Sequence, residues 1–250
     1  MTDDMPELGR FNLVVVGPPG CGRATLVNAV FGADVIHRGG GQPVADGVDF
    51  YQHPDGILGV YVAPAPAAAE QARTTIAALA ELTERKRAED LSEQVHAAWF
   101  LVRWGEPEPS TDHLQLVQEL AAALPVVFVV TAVPANLAGQ ADQEAVRFAR
   151  FVQSHLLPLS PSNTVFLTNA RIDPEHATPL HGLAELAEAT FATAPEAARR
   201  AQAAAGYVQR QHRGRTLPLT SLRVRAQGWQ QQSLPLRSAM RSYWSRFRPR

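Results

Sequence analysis

Residues 13–32 read LVVVGPPGCGRATLVNAVFG and carry the strongest structural signal in the 250-residue chain. The apolar run that ends at Val16 is typical of a buried strand, and the run from Gly22 to Phe31 is predicted to be a helix. Between them, glycines let successive backbone N–H groups turn inward beside a helix N-terminus. The segment has the context and spacing of the phosphate-binding pattern G-x-x-x-x-G-K-[ST]. A glycine-rich turn without a ligand is the simpler alternative.

Nine residues form this candidate phosphate loop: Gly17, Pro18, Pro19, Gly20, Cys21, Gly22, Arg23, Ala24 and Thr25. Arg23 stands where the pattern has lysine, and Ala24 stands where it has the hydroxyl that holds magnesium. Thr25 comes one residue too late for that role, although its hydroxyl could still contact a phosphate. Lys86 is the only lysine against 22 arginines, so arginine at position 23 is not by itself a sign of lost function. The sequence therefore predicts a phosphate loop whose metal ligand is missing.

Strands alternate with helices along the chain, which predicts an α/β fold with a mostly parallel sheet and helices on both faces. Six strands are expected, at 11–16, 48–52, 57–62, 95–104, 126–133 and 164–169. Helices are expected at 22–31, 67–91, 112–123, 142–156 and 180–193, and another begins at Pro195. Turn residues 53–56 indicate a hairpin, and hence one antiparallel edge pairing. We divide the chain into an N-terminal tail (1–10), the α/β domain (11–194) and a basic helical extension (195–250).

The phosphate loop and the helix after it resemble the start of the Era-like bacterial GTPases of the translation-factor superclass. Those proteins characteristically read Gly-Lys-Ser-Ser-Leu-Ile-Asn-Ala-Leu-Phe-Gly at this point. This chain matches them at Leu26, Asn28, Ala29, Phe31 and Gly32. The resemblance extends to about Gly214, and segments 182–186 and 194–199 look like the closing helices of an immunity-GTPase-like branch. It implies a P-loop GTPase fold, with residues 11–194 as a GTPase-like G domain.

The family motifs that hold magnesium and sense the γ-phosphate are altered in this chain. Ala45 stands at the place of the switch threonine. In the segment that resembles Asp-Thr-Pro-Gly, Val62 replaces the aspartate and Ala65 replaces the glycine. Because magnesium needs oxygen ligands, the resemblance implies that it is not bound. The nearest other carboxylates are Asp46, Asp49 and Asp55, which we interpret as switch-loop or turn residues, with rescue of metal binding as the alternative.

The motifs that contact guanine are altered as well. Thr131 opens a segment where the family has Thr-Lys-x-Asp, so that Ala132 replaces the stacking lysine and Pro134 replaces the carboxylate that reads the base. Asn169-Ala170 resembles the last guanine-contacting motif, Ser-Ala. Charged hydrogen bonds are worth roughly 1.5–3 kcal/mol each, and their loss predicts a loss of guanine selectivity. Phosphoryl transfer relies on the metal and a lysine to neutralise developing charge, so we expect hydrolysis to be lost.

These departures predict a pseudo-GTPase that acts as a regulatory or scaffolding partner without GTP hydrolysis. Its partner is expected to be a protein, either an intact GTPase or a second copy of the chain. No cofactor is expected, and GTP or GDP would bind with weak affinity. The alternative is a slow or switch-like GTP-binding protein that retains weak nucleotide binding, at a membrane surface. An AAA-type ATPase, suggested by Gly-Pro-Pro-Gly-Cys-Gly, is disfavoured because no apolar strand ends in Asp-Glu.

The charge distribution indicates a basic tail. All 24 acidic residues lie at or before Glu196, whereas residues 197–250 contain 12 arginines and no acid. Such a tail suggests an anionic partner: a membrane surface, nucleic acid, or an acidic protein face, that of its own domain included. Near its end, apolar residues recur at helical spacing among arginines, as in an interfacial amphipathic helix. They are Leu236, Met240, Tyr243, Trp244 and Phe247, flanked by Arg237, Arg241, Arg246 and Arg248.

This pattern fits three kinds of partner. Peripheral membrane contact would use Leu236, Met240, Trp244 and Phe247 with the flanking arginines. The same stripe would serve to pack on the domain or on another subunit. Nucleic acid is the weakest of the three hypotheses, because dispersed arginines without a recognisable RNA-binding module give little support.

Composition indicates a soluble globular chain, with 46 % hydrophobic and 19 % charged residues. No apolar run approaches the roughly 20 residues that a membrane span needs, and Met1 to Arg10 is unlike a signal peptide. Cys21 is the only cysteine, which excludes an internal disulfide and a multi-cysteine zinc site. We therefore expect a cytoplasmic protein, peripheral at the membrane if its tail binds lipid. His96 and His113 are interpreted as surface or satisfied polar residues.

Overall fold

The computed structural model of the chain describes residues 9–31, 34–37, 39–54, 56–64, 69–106, 111–135, 143–156, 164–171, 179–199 and 201. The strands are β1 (Phe11–Gly17), β2 (Gln42–Ala45), β3 (Val48–Gln52), β4 (Leu58–Pro64), β5 (Ala97–Arg103), β6 (Val126–Thr131) and β7 (Val165–Leu167). The helices are α1 (Arg23–Phe31), α2 (Ala69–Arg87), α3 (Thr111–Ala123), α4 (Gln143–Leu156) and α5 (Leu183–Ala192). The strands and helices predicted between residues 11 and 193 are present, with ends that shift by a few residues.

The strands form one sheet in the order β2-β3-β4-β1-β5-β6-β7. From β4 to β7 in that order all neighbours are parallel, and β3 runs antiparallel to β4 and to β2. The mostly parallel α/β fold is confirmed, but the sheet has seven strands instead of six and two antiparallel pairings instead of one. The strand that the sequence did not predict, β2, is four residues long and contains Pro43. So short an edge strand lacks the apolar alternation that reveals longer ones.

The central strand β1 is buried on both faces. Leu13 and Val15 belong to a core layer formed with α1 and α5, whereas Val14 and Val16 belong to a layer formed with α2 and α3. All four side chains are fully buried. A strand covered on both faces needs a continuous apolar run, which explains the sequence that leads into the phosphate loop. The loop therefore starts from a strand that is buried along its whole length.

A polar network closes the opposite, amino-terminal end of β1. The backbone N–H of Asn12 donates to Nδ1 of His96 at 2.8 Å, and Nε2 of His96 donates to the carbonyl of Leu91 at 2.8 Å. The Asn12 side chain donates to the carbonyls of Ser92 and Gln94. Burial lowers the pKa of His96, because the charged imidazolium would lose its hydration. The prediction that His96 is a satisfied polar residue is confirmed.

The predicted C-terminal extension begins as part of the domain. Residues 195–199 are helical, and Ala197, Ala198 and Ala201 are buried in the core layer on the α1 side. The core therefore continues beyond the predicted boundary at 194. Residues 202–250, with the predicted amphipathic helix, lie outside the described residues. Within the described ranges, no helix is both long enough and apolar enough to cross a membrane.

Candidate phosphate site

The phosphate loop connects the end of β1 to the start of α1, as predicted. Gly20 and Gly22 have φ values of 81° and 89°, in the left-handed region that favours glycine. A Cβ at Gly17 would overlap Sγ of Cys21 and the carbonyl of Leu101. The N–H of Leu26 donates to the carbonyl of Gly22 at 2.8 Å and starts the helix. The glycines are thus required by conformation and by close packing.

Two side chains from neighbouring strands hold this loop in place. Oγ1 of Thr131, at the end of β6, donates to the carbonyl of Cys21 at 2.6 Å. Nη1 of Arg103, at the end of β5, donates to the carbonyl of Gly20 at 3.2 Å. Thr131 was predicted as part of the guanine motif, and the structure places its hydroxyl on the phosphate loop. Arg103 was not predicted as a site residue; its only signal was its position at the carboxyl end of a central strand.

Arg23 reaches from the first turn of α1 into partly buried surroundings. Its Nη1 atom is buried and has no hydrogen-bond partner among the described residues. Burial raises the pKa of the Cys21 thiol, and the positive charges of Arg23 and Arg103 act in the opposite direction. Burial likewise raises the pKa of Tyr51 on β3, with Asp49 acting in the same direction and Arg23 against it. Arg23 therefore lies within electrostatic reach of both the phosphate loop and β3.

Two positions that would supply magnesium ligands, Val62 and Ala45, lie within strands of the sheet. Val62 lies in β4, between Val15 of β1 and Asp49 of β3, and packs against the core. Ala45 lies in β2, three strands from β1 or about 14 Å at the usual strand spacing, and packs on the α2 side of the sheet. Ala65 lies outside the described residues. The residues present on this side are hydrocarbon where oxygen donors are needed, so they do not fit magnesium.

Of the three alternative carboxylates, the two that the structure describes are not part of a metal site. Asp49 is the cross-strand neighbour of Val62, and Asp46 lines a groove against α2, whereas Asp55 lies outside the described residues. In the part of the chain that the structure describes, no group of three or more His, Cys, Asp or Glu side chains is arranged to hold a metal ion.

In the segment predicted to contact guanine, the side chain of Asn169 forms hydrogen bonds within its own chain. Asn169 is 6 % exposed, and its Nδ2 donates to the carbonyls of Arg171 at 2.8 Å and Pro179 at 2.9 Å. Its Oδ1 accepts from the N–H of Arg171 at 3.4 Å. Ala170 is partly buried against the core. These contacts fix the segment after β7 and leave Asn169 without a free donor for a base.

The segment after β6 is also shaped by its own contacts. Ala132 has a φ of 56°, which is unusual for a residue with a Cβ. The N–H of Val133 donates to the carbonyl of Thr168 at 3.0 Å, and its carbonyl accepts from Nε2 of His181 at 3.0 Å. Pro134 is exposed and brings neither charge nor a side-chain acceptor. The residues present therefore do not fit a guanine base.

The segment that follows α1 is tied to that helix by Asn28. Its Oδ1 accepts from the N–H of Ile36 at 2.9 Å, and its Nδ2 donates to the carbonyl of Ile36 at 3.0 Å. Nδ2 also bonds the carboxylate of Asp34 at 3.1 Å. In the resemblance described above this segment leads into the switch. The position of residues 34–36 is therefore set by the side chain of Asn28.

No protein-family model and no curated protein matches the chain. Among solved structures, the chain is similar to the septin GTPase domain from Chlamydomonas reinhardtii, with 15 % identity and a TM-score of 0.47 over 82 % of this chain and 98 % of that one. It is also similar to the translation elongation factor SelB from Methanococcus maripaludis in complex with the GTP analogue GppNHp, with 16 % identity and a TM-score of 0.41 over 65 % of this chain. The match spans 30 % of the SelB chain. At these identities and TM-scores the similarities assign neither a family nor an activity to this chain.

Proposed function

We propose that the chain is a degenerate Era-like GTPase of the immunity-GTPase-like branch, a pseudo-GTPase that acts as a regulatory or scaffolding partner with GTP hydrolysis lost. The observation that carries this proposal is the state of the guanine site. Every polar side-chain atom of Asn169 is bonded to its own chain. A base that displaced these bonds would leave the carbonyls of Arg171 and Pro179 unsatisfied, at a cost of about 1–3 kcal/mol each.

The metal side supports the same conclusion. Phosphoryl transfer needs a cation that bridges the β- and γ-phosphates and neutralises the charge that develops. The metal, when bound, supplies that stabilisation in intact GTPases. In this chain the side chains of Ala24 and Val62 offer no oxygen atom to hold it. We expect a chain with these side chains to have no means of accelerating hydrolysis.

Isothermal titration calorimetry with GTP and GDP, in magnesium and in EDTA, tests the proposal together with a phosphate-release assay. We expect no phosphate release above the buffer rate and no gain in affinity when magnesium is added. ATP serves as the matched control for base selectivity. Micromolar GTP binding that requires magnesium and is not shared by ATP would show that the chain is a working GTP-binding protein.

The partner is proposed to be a protein, either an intact GTPase or a second copy of this chain. Asn28 fixes residues 34–36 without a ligand, which would give a partner a constant surface. Analytical ultracentrifugation of the full chain over a range of concentrations separates the two: a dimer supports self-pairing, and a monomer favours a different GTPase.

The second candidate is a slow or switch-like GTP-binding protein. It is favoured by one observation, the unpartnered Nη1 of Arg23 within an otherwise intact glycine loop. The same calorimetry decides between the two candidates.

We further propose a cytoplasmic location with peripheral membrane contact through Leu236, Met240, Trp244 and Phe247. Twelve arginines and no acid in residues 197–250 support it. Flotation of the full chain and of residues 1–214 with anionic liposomes tests this point. Equal flotation of the two proteins would contradict membrane contact through the tail.

A further inference from the structure

An open groove runs along helix α2, between that helix and the edge strand β2. Its volume is about 660 Å³, and its apolar lining consists of small and medium side chains: Val44, Ala45, Ala77, Ala78 and Leu82. The groove lies on the face of the sheet that α2 and α3 cover, and one side of it is open because β2 ends the sheet. This α2 groove therefore offers an apolar surface beside a sheet edge.

We propose that the α2 groove binds the apolar stripe of this chain's own basic tail. The tail stripe consists of Leu236, Met240, Tyr243, Trp244 and Phe247. Four of these side chains are the ones proposed above for membrane contact, so the domain and a lipid surface compete for them. The groove thereby controls whether the stripe is presented to a membrane, a regulation that goes beyond the proposed function.

The groove and the tail stripe agree in length. Along α2 the lining of the groove runs from Thr74 to Arg85, and the stripe runs from Leu236 to Phe247. In each case the two end residues are eleven positions apart, which is about 16.5 Å of helix at 1.5 Å per residue. A helical tail would therefore keep its whole stripe against the groove.

The two surfaces are also complementary in the size of their side chains. Alanines at 77 and 78 leave space beside Leu82 on the groove, and the stripe brings three aromatic rings to fill it. Each aromatic side chain can bury about 150–250 Å², and a volume of this size holds several such rings. Amphipathic helices that bind apolar grooves use anchors at this spacing, one on each successive turn.

Charge favours a basic occupant. Asp46 and Glu81 place two carboxylates on the groove, and within the described part of the chain neither forms an ion pair. The one cation of the lining, Arg85, donates from Nη2 to the carbonyl of Val44 at 3.5 Å. Residues 233–250 contain five arginines and no acid. Ion pairs at an exposed rim add little affinity, but they select the partner and its orientation.

The chain between the domain and the stripe is long enough to reach the groove. Ala201 is buried in the core layer on the α1 side, so the tail has to pass to the other face of the sheet. The 34 residues from 202 to 235 span up to about 110 Å when extended, whereas a domain of this size is roughly 40 Å across. A tethered segment acts at an effective concentration of about a millimolar, which favours the chain's own tail over that of another copy.

The test uses the full chain with a second cysteine in the stripe, Met240→Cys, and follows its modification by N-ethylmaleimide in the absence of lipid. Cys21 is the only natural cysteine and is buried, so the added thiol is expected to react first. A docked thiol must be released before it reacts, and the rate therefore follows the undocked population.

Two alanines of α2 give a matched pair of variants in that chain. Ala77→Arg places bulk and positive charge in the groove, whereas Ala80→Arg changes an equally exposed residue of the same helix that does not line the groove. Arginine is a good helix former, so both proteins should fold, as thermal melting can verify. We expect modification to be at least about fivefold faster with Ala77→Arg than with Ala80→Arg, which corresponds to about 1 kcal/mol.

A second pair of variants isolates the charge. Glu81→Arg reverses a charge of the groove, and Glu84→Arg reverses one that lies one turn later and pairs with Arg87 outside the groove. Modification should be about threefold faster with Glu81→Arg than with Glu84→Arg at low salt. The difference should shrink at 1 M salt, where exposed charges are screened.

Equal rates within either pair of variants would overturn the docking of the tail in this groove. A rate that falls as the protein concentration rises would assign the groove to the tail of a second copy and would also overturn it. Because no lipid or nucleotide is present, these rates do not depend on membrane contact or on the loss of hydrolysis. Failure of the docking would therefore be distinguishable from failure of the proposed function.

Discussion

Replacing Thr131 with valine tests how firmly the phosphate loop is attached to the sheet. The hydroxyl of Thr131 donates to the carbonyl of Cys21 at 2.6 Å, and the two residues are 5 % and 1 % exposed. Valine keeps the volume of the side chain and removes the donor, so that the carbonyl loses its partner in a place that water does not reach. A buried group left unsatisfied costs about 1–3 kcal/mol, and we expect this loss in the free energy of unfolding.

Urea denaturation followed by circular dichroism measures that loss. With an m-value of about 2 kcal/mol/M, the midpoint should fall by about 0.5–1.5 M. Thr83→Val is the matched control, because Thr83 is also 5 % exposed and its hydroxyl donates to the carbonyl of Leu79 one turn earlier in α2. That carbonyl retains its helical N–H partner, so the control should lose less. Equal losses in the two variants would show that the Thr131 bond does not secure the loop.

The same substitution should expose Cys21. The thiol is buried, and its modification requires the loop to open. If the lost hydrogen bond lowers the free energy of local opening of the loop by its full 1–3 kcal/mol, the modification rate of Cys21 in Thr131→Val should rise about 5- to 140-fold, since each 1.4 kcal/mol is a factor of ten. An unchanged rate, measured well below the denaturation midpoint, would mean that the loop is held by other contacts.

Three further predictions concern other parts of the domain. Burial lowers the pKa of His96 in the folded state, so the unfolded chain binds more protons than the folded chain as the pH falls below about 6.5. The free energy of unfolding should therefore drop between neutral and mildly acidic pH. Urea titrations at each pH should show a steeper drop for the wild type than for His96→Gln. Gly182→Ala should be more destabilising than Gly105→Ala. Both residues have positive φ (74° and 82°), a conformation that costs alanine about 1–2 kcal/mol, but only at Gly182 would a Cβ also overlap the carbonyl of Leu167. Equal urea midpoints for the two variants would contradict the overlap. Asn169→Ala should cost about 1–3 kcal/mol of unfolding free energy with no change in nucleotide affinity, and a fall in GTP affinity measured by calorimetry would place Asn169 in a base site.

The fold and the phosphate loop could be predicted because their signals are local. A continuous apolar run marks a strand that is buried on both faces, and the glycine spacing after Val16 marks the turn into a helix. The glycines at 20 and 22 do have the left-handed conformations that the pattern requires. By contrast, β2 has four residues and no such run, so its existence depends on pairing with β3 rather than on its own sequence.

The contacts that shape the site could not be predicted, because they join distant positions. Arg103 meets Gly20 across 83 residues, and Thr131 meets Cys21 across 110. Both contacts depend on the register of parallel strands, which side-chain patterns constrain only weakly when both faces are buried. Similarly, the side chain of Asn169 bonds the carbonyl of Pro179, and nothing in the Asn169-Ala170 motif indicates that the amide is already used. Resemblance gave the positions of Thr131 and Asn169, and the fold determines what they touch.

The attachment of residues 34–36 to α1 bears on timing in the cell. In GTPases, bound γ-phosphate and magnesium order the switch segments, and hydrolysis releases them, so that the segment acts as a timer. Residues 34–36, which precede the segment that resembles a switch, are held in this chain by the amide of Asn28, which is present from synthesis and is not consumed. Under the proposed function, a protein partner that binds this face would find the same conformation in every copy of the chain. The amount of complex would then depend on the abundance of the chain and not on how long a nucleotide had been bound.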